Sequence, residues 1–197
     1  MEHKIKDQIK SSAELKLKLI ESPEVISAVE AAANVIISAF RNQKKLLLAG
    51  NGGSAADAQH LAAEFVNRFG FDRPGLPAVA LTTDTSILTA IGNDSGFDRV
   101  FARQIEALGS PGDVFMAIST SGTSRNMVEA LNACRKHKIL TIGLTGIYGG
   151  QMKDHCDICI RIPSGETPRI QEAHILIGHI ITGLVEEELF GNQNREK

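Results

Sequence analysis

Apolar residues recur at three- and four-residue spacing after Ser22-Pro23, at Val25, Val29, Ala32, Ile36, Ile37 and Phe40. That spacing predicts an amphipathic helix over Glu24 to Phe40, with its start signal in front of it. A weaker helix is predicted from Ile5 to Ile20. The pattern then changes: Lys45-Leu46-Leu47-Leu48-Ala49 is a short continuous apolar run stopped by Gly50-Asn51-Gly52-Gly53, as expected of a strand buried on both faces. Comparable runs follow at Ala78 to Leu81, Val114 to Ile118, Leu140 to Leu144 and Ile158 to Ile162. The first four runs each lead into a polar loop and then helical periodicity. Short apolar strands alternating with helices predict a doubly wound α/β fold with a five-stranded parallel sheet. No repeat, charge block or Pro/Gly linker divides the chain. Residues 1–197 therefore read as a single domain, with 1–42 as an N-terminal helical extension.

The last helix is predicted from Pro168, with Thr167 as N-cap, to about Phe190, with Gly191 as the stop. Its middle, Ala173 to Val185, is apolar almost all the way round, which predicts burial on every side. A domain this small can hardly wrap a terminal helix while also covering two sheet faces. Neighbouring subunits are expected to supply the missing walls, so a homo-oligomer is predicted.

Composition narrows the classes of function. A net charge of -2, no Trp and one Tyr give neither a basic footprint nor stacking platforms for nucleic acid. Three cysteines do not make a disulfide framework and suit a reducing cytoplasm. Met1 to Asp7 lacks the apolar core of a signal peptide, and the longest apolar stretch, Ile175 to Val185, contains His179 and falls short of the roughly 20 residues that span a bilayer. Neither export nor membrane insertion is expected.

Two loops stand out at the expected C-terminal edge of the sheet. Gly50-Asn51-Gly52-Gly53-Ser54-Ala55 matches a loose dinucleotide pattern. The acidic residue that should follow about 20 positions later is missing, however, and so is a Walker lysine. Tight strand-to-helix turning explains this loop equally well on its own. The second loop, Ser119-Thr120-Ser121-Gly122-Thr123-Ser124, packs five hydroxyls into six residues before a helix. A single hydroxyl suffices as an N-cap, so five point to another task. Hydroxyls and free N–H groups at a helix start can hold a phosphate dianion without lysine. A phosphorylated sugar spanning both loops fits better than a nucleotide.

His60 and Glu64 lie four residues apart on the helix after the glycine loop and so share one face. Exposed pairs of this kind are common and often idle. Gln171 and His179 sit among apolar neighbours on the last helix, where an unpaired polar group costs roughly 1–3 kcal/mol. A satisfied core histidine is the plain account of His179. Together, two imidazoles, a carboxylate and an amide oxygen are acceptable ligands for zinc or a similar ion. Eight residues separate Gln171 from His179, about 12 Å along a straight helix, so direct chelation of one ion by both is strained unless different subunits supply them. Cys156 and Cys159 form a C-x-x-C which, read within a strand, points its members to opposite faces. Cys134 continues an apolar helix face, and all three cysteines read as structural.

Gly50-Asn51-Gly52-Gly53-Ser54, Gly92-Asn93-Asp94, Ile118-Ser119-Thr120-Ser121-Gly122 and Arg169-Ile170-Gln171-Glu172-Ala173-His174, occurring in this order, resemble a sugar isomerase (SIS) domain of the phosphoheptose isomerase type over nearly the whole chain. The resemblance implies a flavodoxin-like SIS fold and a cytoplasmic homotetramer with active sites between subunits. It also implies conversion of sedoheptulose 7-phosphate into D-glycero-D-manno-heptose 7-phosphate for lipopolysaccharide heptose. Carried over by position, it implies substrate contacts at Asn51, Gly52, Gly53, Ser54, Glu64, Asn93, Asp94, Ser119, Thr120, Ser121, Ser124 and Gln171. One Zn2+ per subunit would be held by His60, Glu64, Gln171 and His179, and Glu64 and His179 would be the acid-base residues. The rival reading is a non-catalytic SIS scaffold that binds the bacterial replication initiator, which would have no use for Glu64 and His179. A phosphosugar sensor would need the two loops but not that pair.

Overall fold

The computed structural model describes residues 1–194. Two helices open the chain, α1 (Glu2–Ile20) and α2 (Pro23–Arg41), followed by β1 (Leu46–Gly50), α3 (Gly53–Val66) and β2 (Ala78–Ala80). Next come α4 (Thr85–Asp94), a 3-10 turn at Phe97–Arg99, α5 (Val100–Leu108), β3 (Val114–Ile118), α6 (Arg125–His137) and β4 (Leu140–Thr145). A second 3-10 turn at Met152–Asp154, β5 (Ile158–Arg161) and α7 (Thr167–Asn194) complete it. The five strands are all parallel, in the order β2-β1-β3-β4-β5. This is the doubly wound arrangement the apolar runs predict.

Strand periodicity assigns each side chain to a layer. Leu46 and Leu48 of β1 with Val114, Met116 and Ile118 of β3 face one core, which also takes in α2, α3 and α7. Leu47, Ala49, Phe115 and Ala117 alternate to the other face and pack against α5 and α6. Helix α2 is part of this architecture, because Val25, Val29, Ala32, Ile36, Ile37 and Phe40 are buried in the first core. By length and composition it could cross a membrane. Its apolar stripe is instead occupied inside the fold. Helix α1 adds only Leu15 and Leu19 to that core and leaves Ile5, Ile9, Leu17 and Ile20 exposed.

Four local expectations need correction. No helix of several turns follows β4; the crossover to β5 is a loop with one 3-10 turn whose Met152 plugs the second core. Gly191 does not stop α7, which runs on to Asn194, and the Thr167 expected as N-cap is the helix's first residue. Leu189 and Phe190 pack against the first core and Glu188 pairs with Arg41 of α2, which holds the helix past its apolar stretch and overrides a weak stop signal. Helix α7 buries Ile170, Ala173, Ile177, Ile181 and Val185 but leaves Ile180 and Leu184 exposed, so one chain covers only part of it. Cys156 precedes β5 and only Cys159 lies in it. All three cysteines are free thiols. Burial raises each of them, Cys156 to about 12, as suits structural residues.

Candidate active site

Chain reversal at β1 makes a crevice. From β1 the sheet grows toward β2 on one side and β3 on the other, so the loops leaving β1 and β3 diverge over a gap at their carboxyl ends. Both expected loops open there. Asn51 and Asn126 bridge the gap with two reciprocal amide hydrogen bonds, each 2.9 Å. Helix α3 begins after Gly52 with no side-chain cap, and α6 begins after Ser124, whose hydroxyl makes no cap bond either. Two helix N-termini with unpaired N–H groups therefore face one gap.

The hydroxyls of the second loop turn toward one another. Ser119 Oγ lies 3.2 Å from Ser124 Oγ and 3.5 Å from Ser121 Oγ, and Ser121 Oγ accepts from Thr123 N at 3.2 Å. The loop is held from behind at Gly122, whose φ is +66° and where a Cβ would sit 2.2 Å from Gly149 O. Thr120, in the same turn, accepts Gly146 N at 2.9 Å through its carbonyl. The segment Gly146 to Gly150 is thus a supporting loop that sequence reasoning passed over, although its T-G-x-x-G-G spacing was visible. Ser54 is buried in the first turn of α3. Gln171 lies against Gly53, where an added Cβ would come within 2.7 Å of its Nε2, which places Gln171 with the glycine loop. Asn93 and Asp94 end α4; Asn93 Nδ2 donates to Asp94 Oδ1 at 2.7 Å.

Farther along, α3 and α7 run side by side. His60 Nε2 lies 2.9 Å from His179 Nε2 and 3.3 Å from Glu64 Oε1, joining the two expected acid-base residues through His60. Phe69 packs its ring 5.5 Å from that of His179. Asp57, one turn before His60, was missed. Its Oδ2 is buried without a hydrogen-bond partner, and burial raises its carboxyl, with His60 and His179 opposing the rise. The i, i+3, i+7 spacing of Asp57, His60 and Glu64 on one helix face was the available signal.

The donors at this cluster suit zinc in kind. Two imidazole nitrogens 2.9 Å apart and a carboxylate oxygen 3.3 Å from one of them compare with about 3.3 Å between ligands of a tetrahedral zinc. The fit is partial. Among the described residues no three His, Cys, Asp or Glu side chains are already arranged around a common ion position. Gln171, the fourth expected ligand, is not brought to His60 and His179 in one chain. It stands at Gly53, seven residues before His60 on α3, or about 10 Å along the axis.

A family model described as the SIS domain matches residues 9–146. A phosphoheptose isomerase from Aneurinibacillus thermoaerophilus is 57% identical over 189 residues, covering 96% of this chain and 96% of its own. Phosphoheptose isomerase 2 from Campylobacter jejuni is 57% identical over 187 residues, covering 95% and 93%. The solved phosphoheptose isomerase of Neisseria gonorrhoeae superposes with a TM-score of 0.88 at 41% identity, covering 94% of this chain and 98% of that one. Extent, identity and shape agree with a crevice made for a phosphorylated sugar, so the chain belongs to the phosphoheptose isomerase group of the SIS-domain family and is an enzyme of the phosphosugar isomerase class.

Proposed function

We propose that the enzyme converts sedoheptulose 7-phosphate into D-glycero-D-manno-heptose 7-phosphate through a cis-enediol. The observation that carries this reading is the unbroken contact from Glu64 through His60 to His179. Moving a carbonyl between adjacent carbons requires a proton to leave one carbon and return to its neighbour while the oxygens exchange protons. Glu64 is the base at carbon, and His179 is the acid-base group at oxygen or in ring opening, each worth about 10²–10⁴-fold. Ser119, Thr120, Ser121 and Ser124 hold the phosphate over the start of α6. Asn51, Gly52, Gly53, Ser54 and Gln171 line the sugar side, with Asn93 and Asp94 reaching it from α4.

Glu64 lies eleven residues beyond Gly53 on α3, about 16 Å along the helix. That span favours a site in which the loops of one subunit meet the acid-base cluster of another. The exposed apolar residues Ile5, Ile9, Ile180 and Leu184 supply surface for such an assembly, which we read as a cytoplasmic homotetramer. Zn2+ is proposed at His60, Glu64 and His179, with Gln171 joining only through subunit assembly; bound there, the ion would polarise the sugar carbonyl or orient its hydroxyls. The scaffold reading loses ground because it leaves Glu64 and His179 without a task.

The deciding experiment is an isomerisation assay on seven-, six- and five-carbon ketose phosphates with the wild type and with Glu64→Gln and His179→Gln. Turnover confined to the heptose phosphate and lost in both variants is expected. Equal rates on shorter sugars would reassign the substrate, and unchanged rates in both variants would remove the mechanism.

A further inference from the structure

Helix α3 ends without a glycine cap. Its last carbonyls are held instead by one side chain from the following loop, joined by Leu76 N, which donates to Phe65 O at 3.0 Å. Arg73 Nη2 donates to Glu64 O at 2.9 Å, while Nη1 donates to Phe65 O at 2.7 Å, Pro74 O at 3.0 Å and Asn67 O at 3.3 Å. Arg73 Nε donates to Glu186 Oε1 at 2.9 Å, and the two side chains are 1% and 2% exposed. Glu186 stands on α7 two turns beyond His179, on the same side of the helix. Its carboxylate also accepts Phe69 N at 2.8 Å and Gly70 N at 2.6 Å. Phe69, held in this way, is the residue whose ring packs on His179.

We propose that the Arg73–Glu186 pair is a positioning device for the reaction, fixing the last turn of α3, which carries Glu64, against α7, which carries His179. This rests on the reading of Glu64 and His179 given above. A buried ion pair is not needed to hold two helices together, since apolar residues of the same volume serve as well or better. What leucine or methionine cannot do is direct hydrogen bonds to several carbonyls of a helix end and to a carboxylate on its neighbour. Lysine retains the charge but not the planar fork that spans these acceptors. Without the fork, the final turn of α3 can fray, and Glu64 lies in that turn. Misplacement by about 1 Å is enough to slow a reaction about a hundredfold while leaving substrate binding intact.

The test compares the wild type, Arg73→Lys and Lys45→Met in the full-length protein. Lys45→Met breaks the Lys45–Asp113 ion pair, which joins the starts of β1 and β3 and touches neither Arg73 nor Glu186, and serves as a control for lost stability. Arg73→Lys is expected to lower kcat on sedoheptulose 7-phosphate by at least about tenfold, with KM within about twofold. Amide exchange should quicken in the last turn of α3 but not in α6. Lys45→Met is expected to lower thermal stability and keep kcat. Wild-type kcat in Arg73→Lys, or a loss shared by Lys45→Met at equal folded fraction, would overturn the proposal. If Arg73→Lys does not fold, Glu186→Gln, which keeps the shape of the acceptor, is read by the same criteria. If the wild type turns over no ketose phosphate, the catalytic reading has failed, while the exchange measurement still reports whether the pair fixes the helix end.

Discussion

At its N-terminal end, α3 meets the substrate crevice through close neighbours in sequence: Gly50 to Ser54 turn straight from β1 into the helix. At its C-terminal end, the same helix meets His179, 119 residues away from His60, through the packing of α7. A loop that makes its own site is fixed by local turn chemistry and helix N–H groups. A cluster shared between two helices depends on how they are pressed together, and it is fastened by a buried ion pair. Damage to the first should therefore appear in binding, and damage to the second in turnover.

The largest effect is expected at the packed end. Glu64→Gln and His179→Gln should each lose about 10²–10⁴-fold in kcat with assembly intact, read by steady-state kinetics and sedimentation. At the crevice, Ser119→Ala combined with Ser121→Ala should raise KM by about a hundredfold or more and leave kcat nearly unchanged, since hydrogen bonds to a charged group are worth about 1.5–3 kcal/mol each. A fall in kcat alone would dissolve the contrast between the two ends.

The next effect lies on α7, between Gln171 and His179. His174 is buried on α7, and burial pushes its imidazole down to about 4, with its bond to the Thr145 carbonyl opposing the shift. The unfolded chain therefore takes up a proton at higher pH than the native one. Stability from this residue is complete above pH 6.5 and is lost as pH falls from there toward 4, on the order of 3 kcal/mol. Urea unfolding at pH 7.5 and pH 4.5 should show a smaller difference in His174→Asn than in the wild type. The smallest effect is expected for Gly53→Ala. The added methyl meets only the end of the Gln171 side chain, which can move aside, so KM should rise a few-fold with little change in melting temperature.

Legibility followed the same division. The runs Leu46 to Ala49 and Val114 to Ile118 are strands buried on both faces because only that environment suits unbroken apolar residues, and both are found where the pattern put them. The crowded hydroxyls of Ser119 to Ser124 are likewise a local signal, and they face a crevice. The link from β4 to β5 was misread because Met152 fills the second core from a single turn, a volume that no periodicity encodes. Asp57 escaped notice because its burial depends on α7 lying over α3, and nothing in the sequence sets Arg73 apart from other loop cations.

By itself the sequence determined the alternation of strands and helices, the two loops that open at one sheet edge, and the sharing of a helix face by His60 and Glu64, because each follows from spacing over a few residues. Only the tertiary structure decided that His179 touches His60, that Gln171 stands instead at Gly53, and that Arg73 and Glu186 tie the helix ends together. Contacts between distant segments depend on the volumes and directions of side chains packed between them, and spacing along the chain does not carry that information.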